Sequence, residues 1–129
     1  MRAEAEPWWR QAEADLETAR LNLQLNRWYV VAYFAQQAVE KGLKALYVDS
    51  RGVLPPRTHH LDELGAQVGT PLTLEPDLDL LEPMVATSRY PDSTAGVAPV
   101  DVFSESAARQ AHEAADRIVI WLGRQLGVS

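Results

Sequence analysis

Arg89 and the adjacent histidines His59 and His60 are the side chains best suited to chemistry in this sequence. An imidazole can exchange a proton near neutral pH, and a guanidinium stabilises negative charge that develops on phosphate. Tyr90 and Asp92 follow Arg89 in a stretch rich in turn residues, and charges in loops on a rigid scaffold are frequent functional positions. These residue types predict a site for phosphate chemistry beside Arg89.

An ordinary structural role competes with this interpretation. One of His59 and His60 can hydrogen-bond a neighbouring helix while the other points to water, and we expect this arrangement rather than catalysis. Asp92 can accept a hydrogen bond from Arg89 and form a turn clamp. For Arg89, Tyr90 and Asp92 we favour the functional role, because they lie in a loop.

A second group of polar residues falls within one predicted helix. Gln37, Lys41 and Lys44 share a helix face and could meet a phosphate or the edge of a nucleotide base. Glu40 and Lys44 have the spacing of an ion pair one helical turn apart, and Gln36 could hydrogen-bond across the bundle or a dimer seam. We expect the structural role here, since surface lysines are more often solvated than engaged.

The three histidines offer little for a metal ion. Cysteine is absent, and no two histidines have the four-residue spacing that places two ligands on one helix face. We therefore predict no metal site, no disulfide and no cofactor. His112 is expected to be an exposed or packing residue.

Composition and charge define the class of protein. A length of 129 residues, with 47% hydrophobic and 23% charged residues, predicts one domain spanning residues 1–129. The net charge of −6 argues against a protein whose main function is non-specific binding to phosphate backbones. The balance is nevertheless +3 from Arg27 to Leu61 and −8 from Asp62 to Glu105, which indicates a basic patch, complementary faces between two copies, or two solvated faces.

No segment predicts a membrane span or a signal peptide. The first residues contain no apolar run, and no window approaches the roughly 20 apolar residues that cross a bilayer. Together with the absence of cysteine, this predicts a soluble, cytoplasmic protein that does not bind membranes.

Helical periodicity dominates three long segments. The segments are roughly Ala5 to Leu25, Tyr29 to Asp49, and Phe103 to Trp121, with Ser104 as a possible N-cap and Gly127 just past the last end. A possible i,i+4 pair of Glu113 and Arg117 lies on the outside of the last one.

Two shorter helices are predicted between the second and third long segments. One runs from His59 to about Val68 with Thr58 as its N-cap, and the other spans about Glu75 to Arg89 with a kink or a start near Pro83. Residues 90–102 have no helical period and predict a long loop. The fold class is therefore all-α, an antiparallel up-and-down bundle of about five helices, three long and two short.

Four sequence features occur in a characteristic order. They are Trp9-x2-Ala12-x2-Asp15-Leu16-x2-Ala19, Ala32-Tyr33-Phe34-Ala35-Gln36-Gln37-Ala38-Val39-Glu40-Lys41-x2-Lys44-Ala45, Thr58-His59-x-Leu61-x2-Leu64, and Ser88-Arg89-Tyr90-Pro91-Asp92. The ordered set, from about Trp9 to Leu122, resembles the HEPN family, small helical modules tied to nucleotides and RNA. The resemblance implies a helical bundle that pairs into a homodimer, with the loop after Arg89 beside a shared cleft.

The resemblance also implies two possible functions. Many HEPN proteins are similar to metal-independent ribonucleases with an Arg, four to six residues, and then a His, whereas the residues four to seven places after Arg89 are Ser, Thr, Ala and Gly. Arg109 and His112 are too close together to replace this motif. Because the His is missing, we favour an interaction module of a toxin–antitoxin type pair with a minimal nucleotidyltransferase, in which Tyr90 is a candidate for modification by the partner. The alternative is a metal-independent endoribonuclease with an atypical site.

These expectations assign residues to two kinds of site. A catalytic site, if the protein has one, would use Arg89 and His59. The candidates for binding a nucleotide or RNA are Lys41, Lys44, Arg57, His60, Arg89, Tyr90 and Asp92.

Overall fold

The computed structural model describes residues 1–128, and within that range every regular element is a helix. The fold class predicted from periodicity is therefore confirmed. The α-helices are α1 (Glu6–Gln24), α2 (Trp28–Arg51), α3 (Leu61–Val68), α4 (Glu75–Leu81), α5 (Met84–Thr87), α6 (Pro99–Val102) and α7 (Glu105–Leu126), with short 3-10 helices at Leu72–Leu74 and Pro91–Thr94.

The hairpin of α1 and α2 is the first layer of the bundle. Its tight connection places Asn26 at a positive φ of 59°, a conformation that asparagine adopts more readily than most residues. Asp15 then contacts Lys41, while Arg2 donates to Asp49 at the far end, so the two helices run antiparallel. The predicted second helix is thereby confirmed as one continuous element.

Helix α7 packs across α2 and α1 and completes the core. The apolar residues Leu43, Ile118 and Leu122 are fully buried where these helices meet. Gly42 permits the close approach of α7, because a Cβ built on it would lie 2.7 Å from Leu122 Cδ1. Ser104 caps α7 by accepting a hydrogen bond from the amide of Ala107, as predicted.

The predicted helix start near Pro83 is confirmed, since α4 ends at Leu81 and α5 begins at Met84, where proline lacks the amide that a continuous helix needs. Two other local predictions were wrong in detail. Arg117 pairs with Asp77 on α4 instead of Glu113, since both of its donors reach that carboxylate at 2.9 Å. The predicted loop at 90–102 contains the 3-10 helix Pro91–Thr94 and the one-turn helix α6.

The predicted N-cap of α3 also needs correction. His60 occupies the cap position, and its side chain does not bond the helix amides. The hydroxyl of Thr58 accepts from the backbone amide of His60, one step before the helix begins. The amide of Leu61 is instead satisfied by the carboxylate of Glu82, which comes from the C-terminal end of α4 at 2.6 Å. This distant cap could not be read from the local sequence.

No helix within residues 1–128 combines the length and apolar character needed to cross a bilayer.

Candidate functional site

Arg89 lies just after α5, where the chain leaves the bundle. Its guanidinium carbon is 5.2 Å from the ring centre of Tyr33 and 5.5 Å from that of Tyr90, distances at which the cation is attracted to the aromatic rings. Asp92 is exposed on the following 3-10 helix and does not bond Arg89, so the turn clamp is not formed. Within residues 1–128 no carboxylate forms a salt bridge with Arg89.

A pocket of about 230 Å³ opens beside this guanidinium. It is lined by Tyr29, Val30, Tyr33, Phe34, Ser88 and Arg89. The rings of Tyr33 and Phe34 meet edge to face, with centres 5.1 Å apart and planes at 87°, which holds both rings in place. The pocket is therefore an aromatic surface with a cation at its edge.

A second cation borders the same surface. The guanidinium carbon of Arg27 lies 5.9 Å from the ring centre of Tyr29. Arg27 is exposed, and no acidic side chain among the described residues lies within salt-bridge distance of it. Arginines held over aromatic rings can contact phosphate oxygens while an adjacent ring stacks on a base. This arrangement, named the Arg89 pocket below, could hold a phosphoryl group and one base.

Helix α2 contributes most of the pocket, and the sequence prediction missed its aromatic residues. Tyr29 and Tyr33 are four residues apart and therefore lie on one helix face. Both tyrosines and Phe34 are only half-buried. The available signal was four aromatic residues among the first seven of α2, with Arg27 just before them.

Lys41, a predicted binding residue, is held by a polar chain inside the bundle. Its ammonium donates to Asp15 on α1 at 2.9 Å and to Gln37 at 3.0 Å. Asp15 is 3% exposed and also accepts from Gln11, while Gln37 donates to Gln36 at 2.7 Å. These contacts occupy Lys41 between two helices, away from the residues that line the Arg89 pocket.

Lys44 is even less accessible. Its side chain is 7% exposed and lies 3.1 Å from Glu40, whose side chain is 5% exposed. His59 Nδ1 approaches the same carboxylate at 3.0 Å, and the ring of Trp8 lies 5.7 Å from the ammonium. Glu40 thus contacts both Lys44 and His59. The contact with Lys44 is the helical pair that the sequence predicted. His59 keeps an exposed ring but does not line the Arg89 pocket.

His60 belongs to a different cluster, at the start of α3. Its Nδ1 lies 2.8 Å from Glu82, the residue that also caps Leu61. The hydrogen bond to Glu82, helped by the negative charges of Glu82, Glu63 and Asp62, raises the pKa of the His60 imidazole above its ordinary value. The protonated ring is therefore stabilised in the folded protein.

The other residues singled out in the sequence lie at different positions on the surface. Arg57 and Tyr90 are exposed, and Tyr90 alone of the two contacts Arg89. His112 lines a separate depression between α1 and α7, together with Glu13 and Asp116. Of the predicted binding residues, the structure brings only Arg89 and Tyr90 together at the Arg89 pocket. None of the three histidines lines it.

Comparison with solved structures defines the class of this helical bundle. The crystal structure of TT1696 from Thermus thermophilus superimposes with a TM-score of 0.88 at 26% sequence identity, covering 96% of this chain and 99% of that chain. The crystal structure of ST0689, an archaeal HEPN homologue, superimposes with a TM-score of 0.80 at 30% identity, covering 97% of this chain and 98% of that chain.

The sequence comparison is equally direct. The model of the HEPN domain matches residues 5–125, nearly the whole chain. This chain belongs to the HEPN family. No curated protein matches its sequence.

Proposed function

We propose that this HEPN chain binds a nucleotide or single-stranded RNA at the Arg89 pocket, as a homodimeric module paired with a minimal nucleotidyltransferase. The observation that carries the proposal is the guanidinium of Arg89, stacked on Tyr33 at the edge of an aromatic pocket and free of any acidic partner among residues 1–128. A cation beside an aromatic wall suits a phosphate attached to a base.

The size and charge of the pocket limit its ligand. A volume of about 230 Å³ is below the roughly 300 to 1,000 Å³ of pockets that enclose a whole small molecule. The pocket therefore suits one base or one phosphoryl group of a ligand that extends over the surface. Because the net charge of the protein is −6, affinity depends on the local cations Arg89 and Arg27 more than on an overall basic field.

Family membership and surface composition support the homodimer. The segment that follows Arg89 exposes three valines, with Val97 46%, Val100 55% and Val102 43% exposed. Apolar side chains grouped in this way favour contact with another protein surface. We propose that a second copy covers this segment and that the Arg89 pocket lies beside the interface. Sedimentation velocity should give a dimer, and Val100→Asp should shift the protein towards the monomer.

Replacing Arg89 with Ala should weaken ligand binding about tenfold or more, because a charge-assisted bond to phosphate contributes about 1.5 to 3 kcal/mol. The measurement is fluorescence anisotropy of labelled single-stranded RNA and of labelled ATP in low salt with EDTA. Arg89→Lys should bind with intermediate affinity, since lysine keeps the charge but loses the planar stacking group.

Arg109→Ala is the matched control for this experiment. Arg109 is an exposed arginine whose guanidinium is already paired with Glu105 at 2.8 Å on α7, outside the pocket lining. It should bind both ligands like the unchanged protein. Equal affinity of the Arg89→Ala variant and the parent would place binding elsewhere and reject the Arg89 pocket.

The ribonuclease alternative is tested with the same RNA on a denaturing gel. We expect the RNA to remain intact, because no histidine lines the Arg89 pocket to transfer a proton. Cleavage that persists in EDTA and disappears in Arg89→Ala would establish the alternative instead.

The nucleotidyltransferase partner requires its own experiment. A reading frame for a small nucleotidyltransferase beside the gene would support the pair, and its product should co-purify with this chain when both are expressed together. A Tyr90→Phe variant tests whether the partner modifies that tyrosine, which is 48% exposed. The partner would transfer the nucleotidyl group of ATP to the Tyr90 hydroxyl and release pyrophosphate. After incubation with the partner and ATP, mass spectrometry should detect the added group on the unchanged chain and not on the variant.

A further inference from the structure

His60, Asp62 and Glu82 form a cluster of side chains that the Arg89 pocket does not include. One ligand atom from each residue lies within 4.8 Å of the other two. His60 and Asp62 come from the start of α3, whereas Glu82 comes from the end of α4. The fold therefore joins an imidazole and two carboxylates that lie up to 22 positions apart in the chain.

We propose that this cluster binds a divalent metal ion of the zinc type, with His60, Asp62 and Glu82 as its protein ligands. One nitrogen and two carboxylate donors form a donor set that zinc accepts, and a water molecule would complete a tetrahedral site. Magnesium and calcium fit less well, because both prefer sites built wholly from oxygen ligands.

The existing contacts of Glu82 leave a donor atom for the metal. Its Oε2 accepts from the amide of Leu61 at 2.6 Å, whereas among residues 1–128 the imidazole of His60, at 2.8 Å, is the only hydrogen-bonding partner of its Oε1. Zinc bonds to nitrogen and oxygen are about 2.0 to 2.2 Å long, so tetrahedral ligand atoms lie roughly 3.4 Å apart. Moving the ring and the carboxylate about half an ångström further apart would make room for the ion. Glu82 would still cap α3 through its other oxygen.

The charges around the cluster also favour a cation. Asp62 and Glu82 place two carboxylates within 4.8 Å of the ligand nitrogen of His60. In the part of the chain that the structure describes, no lysine or arginine forms a salt bridge with any of these carboxylates. His60 is paired with Glu82, and its side chain is 66% exposed, so an ion can reach it from solvent.

Zinc at this position would tie the start of α3 to the end of α4. Glu82 directly precedes Pro83 and α5, the segment that leads to Arg89. The ion would therefore restrain the one place between α4 and α5 where proline interrupts the helix.

The proposal is tested by titrating the tag-free full chain with zinc, using isothermal calorimetry and competition with a zinc indicator. We expect saturable binding of one zinc ion per chain and a rise in Tm that EDTA reverses. His60→Ala and Asp62→Asn should each weaken binding about tenfold or more. Asp62→Asn keeps the shape of the side chain on an exposed position, so it remains informative if His60→Ala folds poorly.

His112→Ala is the matched control, because His112 lies on α7 beside a different depression. It should bind zinc like the unchanged protein. Nitrogen-15 NMR of the imidazoles gives a second readout, in which zinc should shift the His60 ring signals and leave those of His112 in place. Absence of saturable binding, or equal affinity of the parent and the Asp62→Asn variant, would overturn the proposal. The titration contains no nucleotide, and the Arg89 assays contain EDTA, so the two proposals can fail separately.

Discussion

Glu40→Ala should destabilise the fold by about 3 to 5 kcal/mol, because it leaves the buried ammonium of Lys44 without its carboxylate. The two side chains are 5% and 7% exposed, so water cannot replace the lost partner. Since a domain of this size is stable by only about 5 to 15 kcal/mol, this single change removes a large part of the total. The loss in the free energy of unfolding is measured by urea denaturation, monitored by circular dichroism.

Two further variants separate burial of a charge from loss of packing. The double change of Glu40→Met with Lys44→Met should be much less destabilised than Glu40→Ala, because apolar residues of similar length remove both charges at once. Glu17→Ala removes a carboxylate from an exposed pair with Arg20 and should change the stability little. If Glu40→Ala unfolded at the same urea concentration as the parent, Lys44 would have another partner.

Lys44→Met should destabilise the fold less than Glu40→Ala does. The carboxylate of Glu40 also lies 3.0 Å from His59 Nδ1, so it retains a hydrogen-bonding partner when the lysine is removed. Comparing the two single variants therefore tests whether His59 supports Glu40 in the folded protein.

Leu122→Ala is the second substitution with a large expected effect, about 2 to 5 kcal/mol of destabilisation. Leu122 is fully buried on α7 and fills the space above Gly42 on α2. Removing its branched end leaves a cavity between two helices that cannot close without moving one of them. Thermal and urea unfolding both report this loss.

The control enlarges Gly42 at the same contact, alone and together with Leu122→Ala. Gly42→Ala alone brings a methyl group to 2.7 Å from Leu122 Cδ1, which forces that packed side chain to move. In the Leu122→Ala background the space is open, and alanine also favours the helix over glycine by about 1 kcal/mol. The double variant should therefore be more stable than Leu122→Ala. Additive effects of the two substitutions would show that they do not share this contact.

These two contacts differ in how visible they are in the sequence. The spacing of Glu40 and Lys44 predicts a helical pair, but nothing local indicates that it is buried beneath Trp8 and beside His59. Likewise, Ala35, Ala38, Gly42 and Ala45 form a stripe of small residues that predicts a close helix neighbour. Only the structure identifies Leu122 as the residue that packs against Gly42.

The candidate sites show the same division. Arg89 and Tyr90 were found from their types and their place after a helix, and they do contact each other. The sequence prediction missed the aromatic wall of the pocket, because the exposure of Tyr29 and Tyr33 depends on which segments pack against α2. His60 and Glu82 could not be paired from the sequence, since the turn between α3 and α4 sets their separation.

Periodicity in the sequence predicted the three long helices and the all-α fold class, because it acts over a few neighbouring residues, and the ordered motifs predicted the family. Only the folded chain shows which charges are buried and which are exposed. Lys41 and Lys44 face carboxylates inside the bundle, while Arg89 faces an aromatic pocket without one. The reason is physical, because burial and ion pairing depend on which helix faces meet, and contacts between distant segments set those faces.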